Sequence, residues 1–534
     1  MKSTILLILI LFLSLSSFSQ YIYSDTTWER WYGVQNNDES ALAYKNDIEH
    51  YDKGYIFHAN YEEIADGKTF IKKTDINGYY LWERKLDSTY QTYMLSMKNV
   101  HNGGLVMCGV SYYNDIGNPW VAKLNACMEV EWCKLFEWPE YSFAKDIAID
   151  NNGDIIVLCY GFGYGDIERI NLIKLDTEGH IIWKGDYATM DDYPVIWNAV
   201  PDKILISEEN DYYLSGKAEW PINNDPSQGW GTRSLFIKVN PNGEEEWILP
   251  FGIYDSLYTQ PWSIHNLSEG NFVAIGSNYQ THHPVMMYFN ENGEEQSFVS
   301  KQIMPENYFA TRLGEAIQIS DTSFFSIFLY KNTSEEYTYH SGYIKFDTAL
   351  NIIDYKEDDR WTGPSDLVHT YNDKIVTVGR MKENNSSGKY DIYMSKRNQD
   401  FNYDTVYPNW TGQYDSLCPG GVVSGFLPYT CHTIVGIDEL QSPKHYAQTK
   451  DKIELQIHPN PAHTIAKLII ENKNEVTGLQ LSVYNQTGEE VYQKKLANGI
   501  KEEALNISQW SSGMYVIIVR SENHMVGSAK LVVE

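Results

Sequence analysis

FIKKTDINGYYLW, residues 70–82, is a β-hairpin spelled out in side chains. An alternating strand runs into Asp75-Ile76-Asn77-Gly78, and a second strand follows and ends at an aromatic residue. Asp and Asn make the local hydrogen bonds of a tight turn, and Gly supplies positive φ. The unit recurs as WVAKLNACMEVEW (120–132), NLIKLDTEGHIIW (171–183) and LFIKVNPNGEEEW (235–247). Weaker copies are MMYFNENGEEQS (286–297), YIKFDTALNIIDY (343–355) and IYMSKRNQDFNY (392–403). A second hairpin precedes most copies, with turns at 101–104, 151–154, 268–271 and 371–374, each followed by a short apolar strand. Every repeat of about fifty residues therefore carries four strands, the period and strand count of a propeller blade.

About seven copies are present, so the expected architecture is all-β: an approximately seven-bladed β-propeller over 20–410. WERWY (28–32) stands alone before the first copy and matches the strand LWERKL (81–86). Its expected place is in the last blade, closing the ring and leaving no long unpaired edge; an open solenoid is the alternative. The repeats, over roughly 26–407, resemble the secreted β-propeller repeats of type IX secretion cargo, with their KLD-x-x-G-x-x-x-W pattern. Such repeats accompany many functions, so the resemblance implies a scaffold and no activity.

The termini add a route. MKSTILLILILFLSLSSFSQ (1–20) has Lys2 before an apolar run and small residues at Ser17 and Ser19. It reads as a signal peptide, 1–19, cleaved between Ser19 and Gln20; its run is too short to span a bilayer, and a retained anchor is the alternative. After a polar linker (437–452), residues 453–534 contain short alternating strands that suit a small immunoglobulin-like β-sandwich. Pro459-Asn460-Pro461, Val483-Tyr484-Asn485-Gln486-Thr487-Gly488, Trp510-Ser511-Ser512-Gly513-Met514-Tyr515-Val516 and the terminal Lys530-Leu531-Val532-Val533-Glu534 resemble the type A sorting domain of type IX secretion cargo. The resemblance implies recognition by the type IX machinery through Pro459, Asn460, Pro461, Gly488, Gly513, Tyr515 and Lys530. It also implies removal of the domain, and a secreted or cell-surface location on a Gram-negative bacterium.

Six cysteines enter this oxidising route. Cys127 and Cys133 flank one hairpin turn and are expected to pair. Cys418 and Cys431 bracket a Pro/Gly-rich stretch in 411–452 and are expected to pair as a staple. Cys108 and Cys159 sit at matching strand positions and read as buried free thiols.

Composition narrows the partners. With 534 residues, a net charge of −29 and 41 Tyr and 15 Trp, the chain repels phosphate backbones and folds as an aromatic-rich β protein, so nucleic acid is excluded. No spanning segment remains after signal cleavage. No nucleophile elbow, zincin helix or phosphate loop is present, so no catalytic residue, cofactor or metal site is assigned. Asp75–Gly78 lacks the further acids of a calcium loop and reads as a turn. His282-His283 and the acid pairs Asp191-Asp192, Glu208-Glu209 with Asp211, and Glu357-Asp358-Asp359 read as surface groups. The expected function is binding of an extracellular glycan or protein; the alternative is a secreted glycan- or peptide-directed hydrolase. The longest repeat carries extra residues in 187–202 and 218–233. Tyr193, Trp197, Trp220 and Trp230, with Asp191, Asp192 and Asp225, form the expected ligand face there unless the loops simply pack on each other.

Overall fold

The computed structural model describes residues 22–434 and 454–533 apart from 24–27, 33–38, 41–48, 62–68, 88–90, 114–115, 139–140, 164–166, 188–195, 223–228, 253–262, 268–269, 279–280, 282, 303–307, 321, 333–339, 359–361, 383–389, 409, 472–476, 485–489 and 522–523. The signal segment with Ser19 and Gln20, the linker 437–452, Tyr193 and Gly488 lie outside the described residues. Contacts divide the chain into two units, 1–445 and 446–534.

In the first unit, strands pair with their sequence neighbours into seven sheets among the described residues: sheet 1 (39–87), sheet 2 (91–136), sheet 3 (142–187), sheet 4 (197–251), sheet 5 (263–300), sheet 6 (308–358) and sheet 7 (362–397). One apolar cluster fills each interval between neighbours. Phe236, Phe251, Phe272 and Phe289 lie between sheets 4 and 5, for example, and Trp28, Phe57, Phe70 and Ile392 lie between sheets 7 and 1. Each sheet is thus buried on both faces by the next, and the succession returns to its start. The unit is a β-propeller.

Closure is made by the amino-terminal strand. Glu29–Trp31 pairs antiparallel with the outer strand of sheet 7, Tyr390–Arg397, in the register Glu29↔Ser395, Arg30↔Met394 and Trp31↔Tyr393.

The repeat pattern has a specific physical content. In six repeats the turn Asp or Asn (75, 125, 176, 240, 290, 347) accepts the backbone N–H groups two and four residues on, at 2.8–3.1 Å. The Trp closing one repeat then donates its indole N–H to the carbonyl just after that residue in the next repeat. Trp132 reaches Thr177 O at 3.0 Å, Trp183 reaches Pro241 O at 3.2 Å, and Trp247 reaches Glu291 O at 2.9 Å. The turn glycine lies beneath that ring. A Cβ at Gly179 would come within 2.8 Å of Trp132, and one at Gly293 within 2.6 Å of Trp247. Both glycines also hold positive φ, so no other residue suits them.

Sheets 1 and 2 break this rule. Trp82 donates to Asp415 Oδ2 at 2.8 Å, and Lys73 donates to Asp415 Oδ1 at 2.6 Å. Asp415 belongs to a strap that leaves sheet 7 and crosses the outer edges of sheets 1 and 2. Gly425–Pro428 adds a parallel strand to Tyr80–Asp87, and His432–Ile434 adds one to Val130–Phe136.

The strap overturns the expected disulfide pairing. The bonds are Cys127–Cys418 and Cys133–Cys431, and not Cys127–Cys133 and Cys418–Cys431. Within the hairpin Cys133 faces Ala122, while Cys127 sits in the turn with its N–H on Asn125. The parallel register Lys134↔His432 then sets Cys431 beside Cys133. Cys108 and Cys159 are buried thiols outside either disulfide.

In the second unit, Glu454–His458, Ile465–Glu471 and Glu502–Asn506 form one sheet, and Leu479–Tyr484, Glu490–Lys495, Gly513–Ser521 and His524–Val533 form another. Leu468, Leu505, Leu481, Ile517 and Leu531 are among the residues of the core between them, a small sandwich. Asn460 acts as a one-residue strand: its side chain accepts from Val532 N and donates to Lys530 O, both at 2.8 Å. Tyr515 donates to Ser511 O at 2.8 Å and packs on Trp510, closing the turn that contains Gly513.

Two outcomes are expected. Non-reducing peptide mapping should recover 127–418 and 133–431 cross-linked peptides. Trp28→Ala, which empties the closing contact, should lower stability by about 3–5 kcal/mol. An unchanged denaturation midpoint would show that ring closure does not depend on Trp28.

Candidate functional site

Antiparallel order puts the first and third turns of every sheet on one face, and the remaining connections on the other. The first face is occupied by structural bonds. Besides the Asx turns, Lys174 bonds Asp150 at 2.9 Å and the Tyr212 hydroxyl at 3.0 Å, and Lys238 bonds Asp211 at 2.9 Å. At the strap, Lys73 sits among His50 Nδ1 (3.0 Å), Asp52 (2.5 Å) and Asp415 (2.6 Å). His50, Asp52 and Asp415 are spaced to hold a metal ion, but the Lys73 ammonium occupies that position. Burial opposes ionisation of Asp52, yet His50 and Lys73 outweigh it and hold its pKa well below the ordinary carboxylate value.

At the ring's axis lies a cavity of about 170 Å³ lined by residues of the inner strands of sheets 2 to 7, among them Lys98, Asp146, Lys203, His265, Glu315 and Asp366. Register shifts recur in these strands next to Asp146, Lys203, Glu315 and Asp366, each a bulge that redirects side chains. The carboxylates are engaged. Asp146 accepts from Ser96 Oγ (2.8 Å), Ile147 N (3.0 Å) and Ile204 N (3.2 Å). Asp366 accepts from Leu367 N (2.9 Å), and Glu315 pairs with Lys203. Burial disfavours the Lys203 charge, but Glu315, Asp202 and Asp146 overcome this and raise its pKa. His265 is pushed down to about 4, by burial first and by Lys203 second. The cavity is a set of charges of both signs fixed by one another.

The opposite face carries a run of aromatic rings across sheets 2 and 3. Tyr93 meets Tyr112 at 6.0 Å between centroids, Tyr112 meets Tyr141 at 6.0 Å, Tyr141 meets Phe143 at 5.9 Å, and Phe143 meets Tyr160 at 4.8 Å. The run arises because inner strands begin, and second strands end, on this face. Tyr141 is 37% exposed; Tyr93, Tyr112 and Phe143 are half-buried. The hydroxyls are pinned: Tyr112 to Tyr141 at 3.0 Å, Tyr93 to Gln91 at 2.8 Å, and Tyr160 to Glu168. Burial raises the pKa of Tyr93, Tyr141 and Tyr160, so these phenols stay neutral.

The expected ligand face on sheet 4 is only partly retained. Trp220 is 1% exposed, packed in the core between sheets 3 and 4, and so cannot present a ring to a ligand. Trp230, across from Pro221, is half-buried. Trp197 begins the inner strand opposite Glu219. The Tyr93–Tyr160 run escaped sequence reading because its members lie in different repeats; the one signal was an aromatic residue at equivalent strand ends. Of the acid groups, Asp211 pairs with Lys238, and Asp358 with Arg397 at 3.3 Å.

The neutral state of buried His265 is favoured only in the folded protein. Its folded pKa is below the unfolded value, so its contribution is complete above pH 6.5 and is lost as pH falls toward about 4. His265→Gln should therefore lose less stability than the parent between pH 7 and pH 4.5, as measured by denaturant titration. An equal loss would show that His265 does not titrate as the geometry requires.

Residues 456–534 match the family model of the secretion system C-terminal sorting domain. No curated protein matches the chain at a significant level. Similar solved structures include the β-propeller domain of the Trilobed protease from Pyrococcus furiosus (TM-score 0.40, 11% identity, 68% of this chain and 100% of that one). Drosophila Semaphorin 2a (TM-score 0.37, 8% identity) is covered over 90% of this chain and 94% of its own. The extracellular domain of the hybrid two-component system BT4673 from B. thetaiotaomicron matches at TM-score 0.30 and 9% identity over 88% of this chain; the chain spans 62% of that protein's length. The chain thus joins a β-propeller to a type IX C-terminal sorting domain, the signal for export to the surface or surroundings of a Gram-negative bacterium.

Proposed function

We propose that the exported propeller is a binding module for an extracellular glycan or protein, engaged through the face opposite its Asx turns. The observation that carries this reading is the asymmetry of the two faces. One is consumed by turn and lysine bonds between sheets, while the other displays Tyr141, with Tyr93, Tyr112 and Phe143 half-buried around it and Tyr160 buried beneath the run's end. Aromatic side chains with few rotatable bonds and a polar tip give contact area at low entropic cost. The axial carboxylates are held by backbone N–H groups and Lys203, which suits a fixed lining better than proton transfer.

Export begins in this reading with cleavage between Ser19 and Gln20, and ends with recognition of the tail at Pro459, Asn460, Pro461, Gly488, Gly513, Tyr515 and Lys530. The Asn460 clamp on the last strand supports a role for a well-formed sandwich in that recognition. The chain purified from its host should be screened on a glycan array, against extracellular proteins of its surroundings, and with glycosidase and peptidase substrates. Saturable binding without turnover is the expected outcome. Turnover that survives purification, or absence of any binding, would overturn the reading.

A further inference from the structure

We propose that the aromatic run across sheets 2 and 3 is a subsite for a neutral glycan chain; this rests on the binding reading above and assigns its ligand class. Three features point the same way. First, Tyr141 stands exposed within a cluster of rings whose successive centroids lie 4.8–6.0 Å apart, with half-buried Tyr112 and Phe143 turned 47° and 68° from its plane. A protein interface core needs a broad patch, whereas one open ring among half-buried neighbours has the footprint of a single sugar unit. The C–H faces of a pyranose meet the electron-rich face of an aromatic ring as a weak cation does.

Second, the polar tips are organised. Tyr112 and Tyr141 share a hydrogen bond, Gln91 holds Tyr93, and Glu168 holds Tyr160. A phenol oxygen can accept as well as donate, so sugar hydroxyls can be met by groups already immobilised, which lowers the entropy lost on binding.

Third, the protein carries a net charge of −29 and the run itself ends at Glu168, so an anionic polymer is repelled where a neutral one is not. Gly117 adds a positioning element. A Cβ there would stand 2.5 Å from the Tyr141 ring, so glycine is what lets that ring lie where it does.

The test is affinity electrophoresis of the full chain through gels containing mixed-linkage β-glucan, xylan or galactomannan, with alginate as the anionic comparison. Tyr141→Ala and Tyr112→Ala are compared with Tyr141→Phe and Gly117→Ala, and thermal unfolding is recorded for each. The expected result is retardation by at least one neutral glycan, weakened about tenfold in both alanine variants and in Gly117→Ala, and largely kept in Tyr141→Phe, with unfolding temperatures unchanged. Glycan binding that is equal in Tyr141→Ala, Tyr112→Ala and the parent overturns this site but leaves the module a binding protein. So does binding of an extracellular protein with no glycan retardation. Tighter retardation by alginate overturns the neutral ligand class.

Discussion

The propeller depends on one contact, made again and again: a donor from one sheet reaching the turn carbonyl of the next. The apolar clusters between sheets supply most of the driving force, but apolar burial is not directional and does not fix the angle between neighbours. The bond does. Trp132, Trp183 and Trp247 make it with indole N–H groups, Tyr288 makes it to Thr348 with its hydroxyl, and Lys396 makes it to Ile76 at 3.3 Å. The last of these crosses the seam where the ring closes. The same contact that sets one interval therefore also joins the end of the propeller to its beginning.

The interval between sheets 1 and 2 lacks that contact and is held by a substitute. There the donors Trp82 and Lys73 turn to Asp415, a residue far along the chain. The turn that would have supplied the acceptor carbonyl carries Cys127, bonded to Cys418 three residues beyond Asp415. A backbone acceptor is replaced by a carboxylate delivered on a tethered strap. A buried carboxylate between a lysine and an indole needs its position held closely, because a displaced partner leaves a charge unpaired. The disulfides, which persist in the oxidising route that the sorting tail implies, hold it. They thus act at an interval where a side-chain carboxylate stands in for the turn carbonyl.

Much of this was legible in the sequence, and the reason is periodicity. Asp75, Asp176 and Asn240 announce their turns, Gly78, Gly179 and Gly293 announce positive φ, and the likeness of 28–32 to 81–86 announced ring closure. In the structure Trp28 lies over Gly78 as Trp132 lies over Gly179. Features that occur once were not legible. The spacing of Cys127 and Cys133 suggested a bridge within the hairpin, since nothing local reveals a strap returning from residues 403–434. Trp220, in a long connection, read equally as part of a ligand face or as packed between loops. In fact strands Tyr212–Pro221 and Trp230–Val239 extend far enough to carry it into the core. The aromatic run was invisible for a related reason: its rings are neighbours across two sheets and distant along the chain.

The two faces differ because of this construction. The bonds to turn carbonyls, those of Lys174 and Lys238, and the contacts of Asp415 fall on the side of the Asx turns. Loops released from a structural duty are where recognition is usually placed. Stiffness on the first face also benefits the second, since rings at the ends of strands are carried by a framework that does not shift when a ligand arrives. Asn460 achieves the same economy at smaller scale in the sorting domain. By bonding the backbone of Lys530 and Val532 it secures the final strand through main-chain atoms, leaving that strand's exposed side chains, Lys530 among them, for other contacts.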